Sequence, residues 1–212
     1  DLRRICRRRG PQRFYDDAEA GGWSKQTCRD NVTDFERLRL RQRVAVDMSG
    51  RSTASKMIGQ SVAMPVALAP VGLTGMQSAD GEIKAARAAA EFGVPFTLST
   101  MSICSIEDVA AETNAPFWMQ LYMLKDTDFN SRLIAPAKAA NCAALMLTLD
   151  LQILGQRHKD IRNGLSAPPK LTPKTLANLA TKWGWGLQML GTQRRFFGNI
   201  VGHAKGVSDP AS

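Results

Sequence analysis

Four short apolar runs alternate with helical patterns in the middle of the chain. The runs occupy residues 65–70, 94–99, 116–122 and 142–150. Helices are predicted after three of them, from Asp80 to Phe92, from Ser105 to Glu112 and from Asp126 to Ala140. Because the runs are apolar on both faces and alternate with helices, they predict a parallel sheet covered by helices, which is an α/β fold.

The two flanks of this region follow a different pattern. The first 40 residues predict short helices, one of which begins after an N-cap at Ser24. Residues 40–64 predict short strands around turns. Residues 151–212 show no clear further strand-helix unit and are rich in Pro, Gly and aromatic residues. We interpret this stretch either as a long functional loop with short helices or as a segment that needs a partner for packing.

Polar side chains follow the apolar runs at the point where each predicted strand ends. They are Ser99, Gln120, Tyr122, Thr148 and Asp150. The carboxyl ends of parallel strands meet at one face of a barrel or one edge of an open sheet, where such proteins bind ligands. The glycine patterns of a Rossmann dinucleotide site and of a P-loop are absent from the sequence. From the residues alone, helix capping and a plain polar core layer are alternative roles for these side chains.

The 212-residue chain carries a net charge of +9, and this charge belongs to the flanks. Residues 1–43 carry +5, residues 44–150 carry −3 and residues 151–212 carry +7. A nucleic-acid binder would combine a basic stripe with a recognisable module, and no such module follows the cluster at residues 7–9. We therefore expect no nucleic-acid partner. The basic flanks suit solvated helix faces, an anionic lipid surface or an anionic substrate.

Cysteine spacing and hydropathy exclude further classes of protein. The four cysteines, Cys6, Cys28, Cys104 and Cys142, are far apart and form no C-x-x-C pair, so neither a disulfide scaffold nor a metal site is expected. No apolar run approaches the roughly 20 residues of a transmembrane helix, and the first residues have no signal-peptide pattern. These features predict a cytoplasmic protein with reduced thiols.

Six short motifs occur in an order and spacing that resemble one enzyme family. They are Leu40-Arg41-Gln42-Arg43, Met64 to Gly72, Pro95 to Thr100, Gln120-Leu121-Tyr122, Leu147 to Asp150, and Gly155 to Asp160. With these motifs the chain resembles the FMN-dependent α-hydroxy acid dehydrogenases and oxidases, and most closely the bacterial L-lactate dehydrogenases linked to quinone or cytochrome. The resemblance implies a TIM (β/α)8 barrel. This chain would hold its N-terminal helical segment, about the first four βα units and a long loop.

For the cofactor, the resemblance implies two groups of contacts. The flavin ring of FMN would be lined by the backbone of three consecutive residues, Ala69, Pro70 and Val71. The polar edge of the flavin would receive hydrogen bonds from three strand-end side chains, Ser99, Gln120 and Thr148. The flavin would perform the redox step while the protein positions and polarises the reactants.

For the substrate, the resemblance implies contacts from Tyr122 and Arg157. The guanidinium of Arg157 suits a bidentate contact with a carboxylate. Asp150 would orient and stabilise a catalytic histidine. Outside the resemblance, Arg157 is interpreted as a surface charge, and Asp150 as a capping or turn residue.

Three features depart from the family pattern. The family's base is a histidine in an S-N-H-G-G-R-x-L-D motif, and neither this motif nor the fifth-strand lysine is found before the sequence ends at Ser212. The family's substrate-binding tyrosine near the N-terminus is replaced by Asp17, and an acid there would repel a substrate carboxylate. Pro136 falls inside a predicted helix, where a proline costs about 3 kcal/mol.

The functional expectation combines the resemblance with these departures. It is FMN-dependent oxidation of an L-2-hydroxy acid, with L-lactate to pyruvate as the expected reaction and quinone or cytochrome as the electron acceptor. We expect the chain alone to be inactive, because four strands of an eight-stranded barrel leave two edges unpaired. A non-catalytic truncated or degenerate homologue is the alternative.

The resemblance also implies an organisation for the chain. We expect residues 1–212 to be the N-terminal part of one barrel domain, with helices and short strands in 1–64, barrel strands in 65–150 and a long loop in 151–212. The full-length protein would be a homo-oligomer. Residues 182–197 mix Trp, Phe and Leu with basic residues, which suits peripheral contact with the inner face of the cell membrane. A loop whose aromatic side chains pack over the barrel is the alternative.

Overall fold

The computed structural model describes residues 1–149, 153, 155–163 and 172–201. The chain divides into two compact units. The helical unit comprises Asp1–Ser52 and Ile153–Trp183, and the sheet unit comprises Thr53–Gln152 and Gly184–Ser212. The region in which the sequence predicts an α/β pattern falls within the sheet unit.

The elements follow one another in the order that the sequence predicts for the middle of the chain. They are α1 (Leu2–Arg9), α2 (Gln12–Glu19), α3 (Gln26–Arg37), β1 (Ser55–Met57), β2 (Gln60–Val62), α4 (Thr74–Gln77), α5 (Gly81–Phe92), β3 (Thr97–Leu98), α6 (Ile106–Glu112), β4 (Trp118–Tyr122), α7 (Thr127–Ala139), β5 (Ala144–Thr148), α8 (His158–Arg162), α9 (Pro173–Ala180) and α10 (Trp183–Gly191).

The main sheet of the sheet unit consists of β3, β4 and β5 in that order, all parallel. Helices α6 and α7 connect the consecutive strands, which confirms the predicted alternation. The first predicted strand, residues 65–70, is represented by one parallel bridge between Leu68 and Phe96. A separate antiparallel pair, β1 with β2, turns at Gly59, whose φ of +77° favours glycine.

Local signals fix the ends of the helices around this sheet. Gly93 ends α5 in the left-handed conformation, with a φ of +83°. Ser105 begins α6 with a capping box, in which its hydroxyl accepts from the Asp108 N–H at 3.0 Å and its own N–H donates to the Asp108 carboxylate at 2.9 Å. Pro136 does lie inside α7, as predicted, and the helix continues to Ala139.

The core of the sheet unit lies around β4. One cluster of buried side chains includes Leu98, Val109 and Met119, all fully buried, and a second contains Leu121, Phe129 and Leu133. Burying an aliphatic or aromatic side chain of this size contributes about 1.5–3 kcal/mol. The edge strand β5 is more open, and its Leu145 and Leu147 are about half exposed.

The helical unit has few buried apolar side chains and many polar contacts. Phe14 of α2 is buried, and the Gln12 N–H donates to the Asn178 side chain of α9 at 2.8 Å. The predicted N-cap at Ser24 is wrong. Helix α3 begins after Lys25, which has a φ of +61°, and no side chain caps that end. The helix therefore begins about one residue later than the sequence predicts.

Residues 151–212 match the predicted stretch of short helices in the part that the structure describes. Residues 153, 155–163 and 172–201 contain α8, α9 and α10 and no strand. Among the described residues, none of the helices combines the length and apolar character needed to cross a bilayer. The same residues contain no group of three or more His, Cys, Asp or Glu side chains arranged for a metal ion.

Candidate functional site

The predicted strand-end side chains lie at the carboxyl edge of the three-stranded sheet. Ser99 follows β3, Gln120 and Tyr122 lie at the end of β4, and Thr148 ends β5. The register places Tyr122 directly opposite Thr148. Because side chains alternate along a strand, Gln120 and Tyr122 share one face, as expected from their spacing.

Gln120 links the three strand ends into one hydrogen-bonded row, here called the strand-end row (Ser99, Gln120 and Thr148). Its Oε1 accepts from the Ser99 hydroxyl at 3.4 Å and from the Thr100 N–H at 3.1 Å. Its Nε2 donates to Thr148 Oγ1 at 2.8 Å. Ser99 and Gln120 are buried. The geometry therefore brings together three residues that the sequence predicts as neighbours.

Thr100, which the sequence places with Ser99 at the end of the second apolar run but to which it assigns no role in binding, reinforces the row. Its hydroxyl donates to the Gln120 carbonyl at 2.6 Å and accepts from the Tyr122 N–H at 3.3 Å. Thr100 is also buried. Two consecutive hydroxyl residues at the end of an apolar run, Ser99 and Thr100, were the available signal.

Residues 69–71 leave the sheet at the same edge. Both backbone groups of Leu68 pair with the segment that leads into β3. Its N–H donates to the Pro95 carbonyl at 2.8 Å, and its carbonyl accepts from the Thr97 N–H at 3.1 Å. Because this pairing is parallel, the chain after Leu68 runs toward the end of β3 that carries Ser99. Ala69 and Val71 are exposed and Pro70 is half-buried, so the backbone of this turn is open to a ligand.

Glu82 is a buried carboxylate that sequence reasoning missed. It is 2% exposed, and its Oε1 accepts from the Gly75 N–H at 2.9 Å and from the Ile103 N–H at 3.0 Å. It thereby joins helix α4 to the loop that follows β3. A Cβ at Gly75 would lie 2.6 Å from the Ile103 Cβ, so this close approach requires glycine. The signal in the sequence was the spacing of Glu82 from Ala86 and Ala89, which places this acid on the apolar face of α5.

Arg157 and Asp17, both predicted to face the substrate, contact each other in the helical unit. Arg157 Nη2 lies 2.9 Å from Asp17 Oδ1 and also donates to the Asp17 carbonyl, and Arg157 Nε lies 2.7 Å from Asp160 Oδ2. Burial raises the pKa of Asp160, Arg157 opposes that rise, and the charge of Asp17 adds to it. The guanidinium of Arg157 therefore already faces two carboxylates.

The remaining predicted residue, Asp150, lies outside the described residues. Tyr122 is half-buried at the end of β4. Its backbone N–H is engaged by Thr100, which holds the strand end in place.

The chemistry of the strand-end row fits the polar edge of a flavin. An amide and two hydroxyls both donate and accept hydrogen bonds, and none of them is ionised, which suits a neutral heterocycle with ring nitrogens and carbonyl oxygens. The exposed backbone at residues 69–71 offers a surface on which a flat ring can lie. A row of neutral hydrogen-bonding groups at the carboxyl ends of parallel strands is typical of the edge at which α/β proteins bind ligands.

The family model described as FMN-dependent dehydrogenase matches residues 6–210 of the chain. The chain therefore belongs to the FMN-dependent dehydrogenase family. This confirms the resemblance drawn from the six motifs, and it confirms FMN as the cofactor of the family.

Individual relatives agree with the family. An L-lactate dehydrogenase of Caulobacter vibrioides is 40% identical over 99% of this chain and 55% of the relative, and one of Alcaligenes faecalis is 40% identical over 99% and 56%. The monotopic membrane protein (S)-mandelate dehydrogenase superposes with a TM-score of 0.88, at 29% identity, over 94% of this chain and 53% of that one. The chain thus spans about half the length of the proteins it matches, and its parallel strands and helices form part of their barrel fold without closing it.

Proposed function

We propose that this chain provides part of the active site of an FMN-dependent L-2-hydroxy acid dehydrogenase that oxidises L-lactate to pyruvate. The observation that carries the proposal is the strand-end row, in which Gln120 joins Ser99 to Thr148. The relatives named L-lactate dehydrogenase, at 40% identity, support the choice of substrate.

The residues of this chain divide the work between cofactor and substrate. Ser99, Gln120 and Thr148 would hold the polar edge of FMN, above the backbone of Ala69, Pro70 and Val71. FMN, when bound, supplies the acceptor for the two electrons that the hydroxy acid loses. Quinone or cytochrome would then receive these electrons.

The substrate contacts are a separate part of the proposal. Tyr122 would bind the hydroxy acid from the end of β4, and Asp150 would stabilise the protonated form of a histidine base. Arg157 would bind the carboxylate, but in the described structure its guanidinium is engaged by Asp17 and Asp160. Asp17 therefore competes with the substrate for Arg157.

Flavin binding tests the cofactor site directly. FMN is titrated into the purified 212-residue chain, and quenching of flavin fluorescence gives the Kd. Gln120→Leu removes the centre of the row and is expected to weaken binding by about tenfold, the effect of one or two lost hydrogen bonds. Gln188→Leu, at an exposed position of α10, is the matched control and should bind like the wild type. Equal affinities for both variants would contradict the assignment of the row.

The chain alone is proposed to be inactive, because the sheet that would surround the site contains three strands in the described residues. Purified chain is incubated with FMN, L-lactate and a redox dye, and no dye reduction is expected. Dye reduction by the chain itself would overturn this part of the proposal.

A non-catalytic truncated or degenerate homologue is the second candidate function. The carboxylate Asp17 at the side of Arg157 favours it, since it weakens the positive charge that a hydroxy acid would need. FMN titration separates the two candidates. In a degenerate homologue, Gln120→Leu would not change the affinity for FMN. A full-length homo-oligomer is retained as a proposal in either case.

Peripheral membrane contact is proposed for helix α10. Trp183, Leu187 and Leu190 are 75%, 61% and 74% exposed, and their spacing places them on one helix face. Trp185 has a different role, because its indole N–H donates to the Met76 carbonyl at 2.9 Å. The structural similarity to a protein described as a monotopic membrane protein supports this proposal.

Vesicle sedimentation tests the membrane proposal. Trp183→Ser/Leu187→Ser is expected to sediment several-fold less with anionic vesicles than the wild type, since two apolar anchors are lost. Leu176→Ser changes a residue that is 53% exposed on α9 and serves as the control. Equal sedimentation of all three proteins would contradict membrane contact by α10.

A further inference from the structure

Asn199 is a buried amide that contacts the turn between β3 and α6. It is 1% exposed, although it follows the turn by about 100 residues in sequence. Its Nδ2 donates to the Ser99 carbonyl at 3.2 Å and to Ser102 Oγ at 2.9 Å, and its Oδ1 accepts from the Ile106 N–H at 3.0 Å. Both donor hydrogens of the amide and one of its two acceptor positions are therefore used.

These contacts fix both ends of the turn. The Ser99 carbonyl already accepts from the Ser102 N–H at 3.2 Å, and Asn199 adds a second donor to the same oxygen. The Ser102 hydroxyl donates onward to the Cys104 carbonyl at 2.7 Å. At the other end, the Ile106 N–H is one of the unpaired donors of the first turn of α6, and Asn199 satisfies it.

The segment that carries Asn199 is held against the same helix end. Gly198 donates its N–H to the Ile103 carbonyl at 3.2 Å, and a Cβ at Gly198 would lie 2.7 Å from the Ser105 nitrogen. Arg194 lies 2.8 Å from the Asp108 carboxylate and 3.1 Å from the Asp80 carboxylate. Contacts on both sides of the turn therefore leave Asn199 little freedom to move.

We propose that Asn199 is a positioning residue for the strand-end row. By fixing the Ser99 carbonyl, it sets the direction of the Thr100 N–H in the same peptide plane and holds the backbone from which the Ser99 hydroxyl extends, and both groups are bonded to Gln120. Asn199 acts through Ser99 and does not itself contact a ligand. The inference rests on the proposed flavin role of the row, and it adds to that role a residue from outside the strands.

The test uses a variant that separates the contacts of Asn199. Asn199→Asp keeps an acceptor for the Ile106 N–H and removes the donors to Ser99 and Ser102. Val109→Ala, a core truncation in α6, is the control that lowers stability without touching the turn. Amide hydrogen exchange at Thr100 and Ser102 reports on the turn without any flavin, and FMN titration reports on the row.

The expected result is at least tenfold faster exchange at the two amides and about tenfold weaker FMN binding for Asn199→Asp. Val109→Ala should leave FMN affinity within about twofold. In a Gln120→Leu background, Asn199→Asp should add less further loss of FMN affinity than in the wild type, because the Ser99 hydroxyl and the Thr100 N–H that Asn199 positions both act on Gln120. This non-additivity would not arise from a purely structural role.

Two results would overturn the inference. One is unchanged exchange at Thr100 and Ser102 in Asn199→Asp, and the other is faster exchange with unchanged FMN affinity. Full additivity with Gln120→Leu would also contradict it. If the wild-type chain binds no FMN, the proposed function fails and the flavin role of Asn199 fails with it. The exchange data then still decide whether Asn199 fixes the turn.

Discussion

The helical unit and the sheet unit are each stabilised internally by a different kind of interaction. The buried apolar side chains of the described residues lie in the sheet unit, except Pro11 and Phe14. The helical unit depends instead on polar pairs such as Arg3 with Glu19, and it leaves Phe35 74% exposed. Since exposed ion pairs contribute about 0–1 kcal/mol each, the helical unit is expected to be the less stable of the two.

The difference shows where sequence patterns carry information. Apolar runs specify a core, and the sheet unit follows them closely. Polar pairs between distant residues leave no periodic signal, and the contact between Arg157 and Asp17 is of that kind. This contrast leads to five predictions, beginning with the largest expected effect.

Truncating a core residue of the sheet unit should affect stability far more than truncating the same residue type in the helical unit. Phe129→Ala is expected to lower the unfolding free energy by about 3–5 kcal/mol, because Phe129 is 1% exposed within its cluster. Phe35→Ala should change it by less than about 0.5 kcal/mol. Urea unfolding followed by circular dichroism measures both. Similar losses for the two variants would remove the contrast between the units.

An ion pair of the sheet unit should contribute more to the unfolding free energy than an ion pair of the helical unit. Arg194→Met removes two close carboxylate contacts from a side chain that is 29% exposed, and a loss of about 1–2 kcal/mol is expected. Arg3→Met is the matched control, since the arginine of its pair with Glu19 is 69% exposed, and its loss should change the unfolding free energy much less. Unfolding is measured in low salt and in 1 M NaCl. The idea fails if high salt abolishes the Arg194 effect as fully as the Arg3 effect.

The four cysteines divide between the units and provide a chemical readout. Cys6 and Cys28 are exposed in the helical unit, whereas Cys104 is buried and Cys142 half-buried in the sheet unit. Burial raises the pKa of both sheet-unit thiols, that of Cys142 to about 11. Iodoacetamide at pH 8 should therefore alkylate two thiols in the native chain and four in denaturant, as counted by mass spectrometry.

The same thiols predict a dependence of stability on pH. An unfolded cysteine ionises near its ordinary pKa of 9.0, whereas folded Cys142 retains its proton up to about pH 11. Between these values the folded state binds more protons, so the unfolding free energy should fall as the pH rises from 9 to 11. Cys142→Ala should flatten this slope. An unchanged slope in the variant would assign the effect to other groups.

Removing the charge of Asp17 should have the smallest effect on stability and a specific effect on binding. Asp17→Asn is expected to free Arg157 for a carboxylate ligand, so oxalate should shift the Arg157 Nε resonance at several-fold lower concentration than in the wild type. The pKa of Asp160 should also fall, since the charge of Asp17 helps to raise it. Asp16→Asn is the control for oxalate binding, because Asp16 pairs with Lys159 at 3.7 Å; it is no control for the pKa of Asp160, which the charge of Asp16 also helps to raise. Equal oxalate affinity in both variants would show that Asp17 does not restrict Arg157.

Much of the sheet unit could be predicted from local sequence. Helix α5 ends at Gly93 and α6 begins at Ser105 because these residues act within one turn of the chain. The strand-end row could be predicted because parallel strands align their ends. By contrast, the run at residues 65–70 gives a single bridge, since it begins and ends with proline, which has no N–H to pair.

The parts that sequence reasoning missed depend on contacts between distant residues. Glu82 looks like an ordinary helix-surface acid until Gly75 and Ile103 are placed beside it. Asn199 lies in a stretch without periodicity, and its partners precede it by about 100 residues. The contacts of Asp150 stay a prediction, because this residue lies outside the described residues. The assignment of the chain to one barrel domain also stays a prediction.

The contact between Asn199 and Ser99 also sets an order of events during synthesis. A ribosome that adds about 5–20 residues per second reaches residue 199 roughly 5–20 seconds after residue 99. Until then the Ser99 carbonyl lacks its second donor, and the first turn of α6 lacks the partner of the Ile106 N–H. The nascent sheet therefore completes its ligand-facing turn only when the segment around Asn199 has emerged and packed against α6.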